Sequence, residues 1–107
     1  MHIFELTPDP AHLNDENWLA SKHKSRVIVR AETEEQARQL AYAEFGIAVQ
    51  RAPSGKFPVN PWKYPLVKCE IQINGLYPVD GKPRILDPYV YQHGDELKLK
   101  TQIANAS

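Results

Sequence analysis

Only one stretch of this chain carries a helical period, whereas several carry the two-residue period of strands, and that imbalance decides the fold class. In AETEEQARQLAYAEFG (31–46), Ala37, Leu40, Ala41 and Phe45 recur at helical spacing and form one apolar stripe. Thr33 followed by Gln36 is a capping-box pattern, in which the hydroxyl accepts from the Gln36 amide while Gln36 reaches back. Glu34 and Glu35 put negative charge in the first turn, where the unpaired amides favour it. Glu34 and Arg38 stand four apart in the favourable order for an ion pair. Gly46 reads as a left-handed stop, with Ile47 packing back on the last turn. The spacing predicts a helix over 34–45.

The strand pattern is clearest in VKCEIQI (67–73), with Val67, Cys69, Ile71 and Ile73 on one side and Lys68, Glu70 and Gln72 on the other. RVIVRA (26–31) sets Val27, Val29 and Ala31 on one side, and ELKLKTQI (96–103) opposes Leu97, Leu99 and Ile103 to Lys98, Lys100 and Gln102. HIFEL (2–6) is a further strand, and YVYQ (89–92) a short candidate. Strands with one oily and one wet face belong to an antiparallel sheet covered on one side only. Asn74-Gly75 is a strong hairpin signal and Asp80-Gly81 offers a second reversal. Pro78 and Pro83 lack the amide a central ladder needs, so the pieces around them are expected at an edge. TPDPAHLNDENW (7–18) reads as extended chain, then a helical turn capped by Asn14 and carrying Trp18. RAPSGKFPVNPWKYP (51–65), rich in proline and aromatics, is a long connection of the kind that is often functional.

These elements fit one domain, residues 1–107, of α+β class: one principal helix on one face of a mainly antiparallel sheet of about four to six strands. Thirteen Lys+Arg balance thirteen Asp+Glu, so net charge gives no long-range attraction to nucleic acid or acidic membrane. The single cysteine, Cys69, rules out an internal disulfide, and no apolar run approaches the ~20 residues of a membrane span. A soluble, cytoplasmic protein without membrane attachment is the expectation.

Catalytic chemistry finds little support. His2, His12, His23 and His93 lack the three- or four-residue spacing of a helical metal pair, and no Cys-x-x-Cys accompanies them. Cys69 lies in the inward register of its strand and reads as a small core residue. Ser54-Gly55-Lys56 is no phosphate loop, because Gly46 is too far upstream and Phe57 stands where a magnesium-binding hydroxyl belongs. No metal and no cofactor is called for.

Positive charge is locally dense in SKHKSR (21–26). If the strand starts near residue 22, Lys22, Lys24, Arg26 and Arg30 share a face, joined by Lys68, Lys98 and Lys100 and set against Glu70. Glu34, Glu35 and Glu44 then sit on the helix side. Such a face either keeps an open sheet wet and discourages edge pairing, or receives an acidic partner. Phe57, Trp62 and Tyr64, among Pro58, Pro61 and Pro65, offer a stiff aromatic segment with little entropy to lose on docking. Equally, Phe57 and Trp62 can fold back to close the core. The leading expectation is a non-catalytic interaction domain that binds itself or another protein through the open sheet face or the 53–65 loop. The alternative is a nucleic-acid-binding module using the basic face, and the third is a small acid–base enzyme using His23 or His93.

Overall fold

The structure, a computed structural model, describes residues 1–90. Strands β1 (His2–Pro8), β2 (Val27–Ala31), β3 (Val67–Gln72) and β4 (Arg84–Asp87) form one antiparallel sheet in the order β3-β1-β2-β4. The helix α1 (Glu34–Phe45) packs over β2, with β1 and β4 flanking. This is the expected α+β arrangement, with one helix on a four-stranded sheet. The strand expected over 96–103 lies outside the described residues, as do residues 91 and 92 of YVYQ; Tyr89 sits in a turn.

Alternation sorts the sheet's two faces. Phe4 and Leu6 of β1 stand opposite Val29 and Val27 of β2, and Leu6 also faces Cys69 of β3. With Ile85 of β4 they form the floor on which Ala37, Ala41 and Phe45 of α1 rest, and all but Cys69 are buried. Alanines at two of the three helix contacts let α1 approach the sheet closely.

The helix starts as expected, with Thr33 Oγ1 accepting from the Gln36 amide at 3.0 Å. The Gln36 side chain overshoots the cap, however, and accepts from the Glu32 amide at 2.7 Å. Its end differs more. Gly46 has φ −67° and ψ 141°, extended rather than left-handed. Glycine is needed for proximity instead: a Cβ there would stand 2.8 Å from the Tyr42 ring. Ile47 does not pack back; its side chain is exposed and its N–H donates to the Ala20 carbonyl.

Between β1 and β2 the chain makes two short 3-10 turns, Pro10–His12 and Glu16–Ala20, capped by Asp9 and Asp15 rather than by Asn14. The second carries Trp18 into the core. Asn74-Gly75 does turn the chain, with Gly75 at φ +72°, but it makes no hairpin. β1 already occupies the inner side of β3, and Asn74 Oδ1 accepts the Leu76 amide in a local turn. The chain then runs to the opposite edge, where β4 pairs with β2 directly after Pro83.

That crossing passes the sheet's second face. Arg30, 8% exposed, donates from Nε to the Lys82 carbonyl at 2.9 Å and from Nη1 to the Pro78 carbonyl at 3.2 Å. Gly81, at φ +124°, lies so close that a Cβ would stand 2.6 Å from the guanidinium. Gly81→Ala is therefore expected to destabilise the fold by about 2–3 kcal/mol, through backbone strain and the displaced guanidinium. In an Arg30→Ala background the added cost should fall to about 1 kcal/mol, the strain alone. Urea denaturation of the single and double variants measures the difference.

Candidate interaction surface

The basic hexamer meets the core through its two half-buried residues, Ser21 and His23. Ser21 pairs with Gly46 in an isolated bridge, and the Lys22 N–H donates to the Phe45 carbonyl at 2.8 Å. Ser21 Oγ accepts the Trp62 indole N–H at 3.0 Å and donates to the His23 carbonyl at 2.7 Å. The His23 ring stacks on Phe45 at 4.6 Å and runs nearly parallel to Trp62 at 6.1 Å. Its Nε2 is buried without a hydrogen-bond partner, which is a packed imidazole rather than one presented to a substrate.

The strand begins at Val27, so the alternation expected to align Lys22, Lys24, Arg26 and Arg30 does not run through 22–26. Lys22 and Lys24 are exposed in the lead-in. Arg26 reaches Glu5 at 3.4 Å and Asp87 at 3.6 Å, Arg30 is buried as described, and Lys68 stands 3.8 Å from Asp9. Lys98 and Lys100 lie outside the described residues. The second face is thus a mixed-charge surface: Glu5 and Asp87 interleave with the arginines, and Gln72 Nε2 donates to Glu5 at 2.6 Å. Ile3 and Ile28 are also buried there, so this face is not the bare cationic plate that strand alternation suggested.

The 51–65 loop divides. Trp62 is fully buried, edge-on to Trp18 at 5.3 Å, and takes the inward of its two expected roles. Phe57 stays exposed under the Arg51 guanidinium, 5.0 Å away, and Tyr64 is 79% exposed beside β3.

Tyr64 borders a region where, among the described residues, exposed apolar side chains and an unpaired strand edge coincide. Along β3 the helix-side residues grow steadily more exposed: Val67 is buried, Cys69 half-buried, and Ile71 55% exposed. Ile73, just past the strand, is 93% exposed. The outer edge of β3 pairs with no other strand among the described residues. Its start is anchored by Arg38, whose Nη1 donates to the Val67 carbonyl at 2.8 Å while Nη2 lies 3.6 Å from Glu34. Sequence reasoning took Arg38 for a surface partner of Glu34 and missed this tether. It also set Ile71 and Ile73 on one side with Val67 and Cys69, which gives their facing but not their exposure. The physical reason is placement: α1 is centred over β2, and β1 stands between β2 and β3, so the outer strand is left partly uncovered.

Glu34, Arg38, Tyr64 and Cys69 line an open hollow of about 400 Å³ at this edge. Burial, reinforced by the neighbouring Glu34 carboxylate, pushes the Cys69 thiol up from 9.0 to about 12. The group is a neutral, hydrophobe-like thiol and not an activated nucleophile. No group of His, Cys, Asp and Glu among the described residues is arranged to hold a metal ion, and no helix there is long and apolar enough to cross a membrane. Comparison with protein-family models, curated proteins and solved structures finds no match.

The raised Cys69 pKa has a directional consequence. Folding favours the neutral thiol, so this contribution is complete below about pH 9 and is lost as pH rises toward 12. At pH 8 a disulfide reagent should react with the folded chain about 100-fold or more slowly than with the urea-unfolded chain, following thiolate fraction. Comparable rates in the two states would show the thiol to be neither buried nor raised.

Proposed function

We propose that the protein is a non-catalytic interaction domain whose contact surface is the outer edge of β3, with Ile71 and Ile73 on its helix-side face and Tyr64 at its rim. The observation that carries this reading is the β3 edge itself, unpaired among the described residues and flanked by exposed apolar side chains. Such edges template pairing with another chain, and folded proteins ordinarily blunt them with charge, proline or cover. Here the cationic residue of the strand, Lys68, stands at its beginning near Asp9, leaving the Ile71–Ile73 end unguarded. Main-chain hydrogen bonds would supply affinity, and alternate side chains selectivity.

The charge distribution speaks against phosphate as the partner. Of the residues named for a basic face, Arg26, Arg30 and Lys68 each have a partner within the fold, Lys22 and Lys24 stand exposed, and Lys98 and Lys100 lie outside the described residues. Binding nucleic acid through the first three would require breaking contacts already made. For an acid–base role, the half-buried His23 ring is stacked on Phe45 with its Nε2 enclosed, and His93 lies outside the described residues.

Two measurements test the proposal. At sub-micromolar protein, where self-association is negligible, the hydrophobic dye bis-ANS should bind the folded chain, and an Ile71→Lys, Ile73→Lys double substitution should reduce that binding several-fold without changing the thermal midpoint. Single- and double-stranded oligonucleotides at low salt should form no complex. Dye binding indifferent to the double substitution, or a salt-labile oligonucleotide complex abolished by Arg26→Glu, would overturn the assignment.

A further inference from the structure

Backbone direction along β3 narrows the class of partner. The Val67 N–H donates to the Lys63 carbonyl and its C=O accepts from Arg38, so both point away from β1. The Asp9 N–H donates to the Leu66 carbonyl, which therefore points toward β1. Since the N–H and C=O of one residue share a side in an antiparallel strand and alternate along it, those of Cys69, Ile71 and, by extension, Ile73 face outward. No partner takes them among the described residues.

From this we infer that β3 pairs with β3 of a second copy of the same chain, antiparallel and two-fold symmetric, with Ile71 opposite Ile71. The inference rests on β3 being a contact edge, and goes on to name the occupant and the register. Centring on Cys69 would set Val67 opposite Ile71, yet the Val67 backbone is already committed to Lys63 and Arg38. Centring on Glu70 would bring two carboxylates face to face, a destabilising cross-strand pair. Centring on Gln72 would oppose Cys69 to Gly75, whose φ of +72° ends the extended chain.

Centring on Ile71 opposes no carboxylates and keeps three hydrogen-bonded pairs, against two when centred on Gln72. It sets Val67 against Gly75 only beyond its outermost pairs, so the committed Val67 backbone and the Gly75 turn end the ladder instead of interrupting it. It couples Cys69 with Ile73 of the other copy on both sides of the axis, for about six backbone hydrogen bonds in all. On the second face it places Glu70 opposite Gln72 and Lys68 opposite Asn74, so no like charges are directly opposed. The side chains fit as well. Ile73, the most exposed large hydrophobic residue described, lands opposite Cys69 on the helix side. There it meets the hollow in which the Tyr64 ring and the Cys69 thiol stand among the charged side chains of Glu34, Arg38, Lys68 and Glu70. Each copy supplies one projecting isoleucine and one hollow, the self-complementarity a two-fold interface requires. The two sheets would become one of eight strands, with both helices on the same side.

Light scattering should find a dimer at tens to hundreds of micromolar, insensitive to salt and dissociated by Ile73→Lys, with the thermal midpoint of the variant measured alongside to confirm folding. Register is read by oxidation with copper phenanthroline. The native chain should not cross-link, because its two Cys69 residues would lie four positions out of register, whereas Cys69→Ser with Ile71→Cys should form a disulfide dimer. Cross-linking of the native chain through Cys69, or none in the Ile71→Cys variant while the dimer persists, would overturn the register and leave the contact edge standing. A chain monomeric at several hundred micromolar that still binds bis-ANS through Ile71 and Ile73 would overturn the second copy as occupant. Loss of the dye signal's dependence on those residues would remove the contact edge as well.

Discussion

Burial of Trp62 is the constraint on which the rest of the chain depends. A four-stranded sheet with one helix leaves the core open where the helix ends, and this chain closes that opening from a loop. The Trp62 indole is hydrogen-bonded to Ser21, set edge-on to Trp18 and packed beside His23 and Phe45. One side chain therefore joins the second 3-10 turn, the lead-in to β2, the end of α1 and the connection to β3. Asn60 Oδ1 accepts the Trp62 amide at 2.8 Å, and the neighbouring Pro61 is buried, so the loop reaches this position through a defined turn. A long connection keeps one conformation here because its central residue belongs to the core.

Much of the architecture was legible because it depends on local periods. The helix follows from Ala37, Ala41 and Phe45, and its start from Thr33. The facing of Val27, Val29 and Ala31 follows from alternation, and all three are buried. What failed to read depended on distant partners. Asn74-Gly75 has hairpin chemistry, but a hairpin also needs a free inner edge, and β1 had filled it. Gly46 resembles a left-handed stop because glycine signals that conformation and close approach alike, and only the Tyr42 ring tells them apart. Ile71 and Ile73 share the pattern of Val67, since alternation records which way a residue points and not whether anything lies over it.

The basic residues teach the same lesson for charge. Clustering in sequence suggested clustering in space, but β1 lies between β2 and β3 and brings Glu5 among their cations, while β4 brings Asp87 beside Arg26. Arg30, drawn under the crossing chain, spends its guanidinium on carbonyls rather than on an anion. Such exposed pairs as Arg26 with Glu5 contribute little to stability. Their effect is on the surface potential, which they flatten where a uniform cationic field had been expected.

The perpendicular meeting of Trp18 and Trp62 gives the molecule an intrinsic optical signature. Two buried indoles 5.3 Å apart should couple their electronic transitions and emit at short wavelength, and both properties should vanish when the loop leaves the core. β3 carries no tryptophan, so indole emission watches the closure of the core and is nearly blind to the strand's outer edge. Indole emission is thus a probe of unfolding that events at that edge leave nearly untouched.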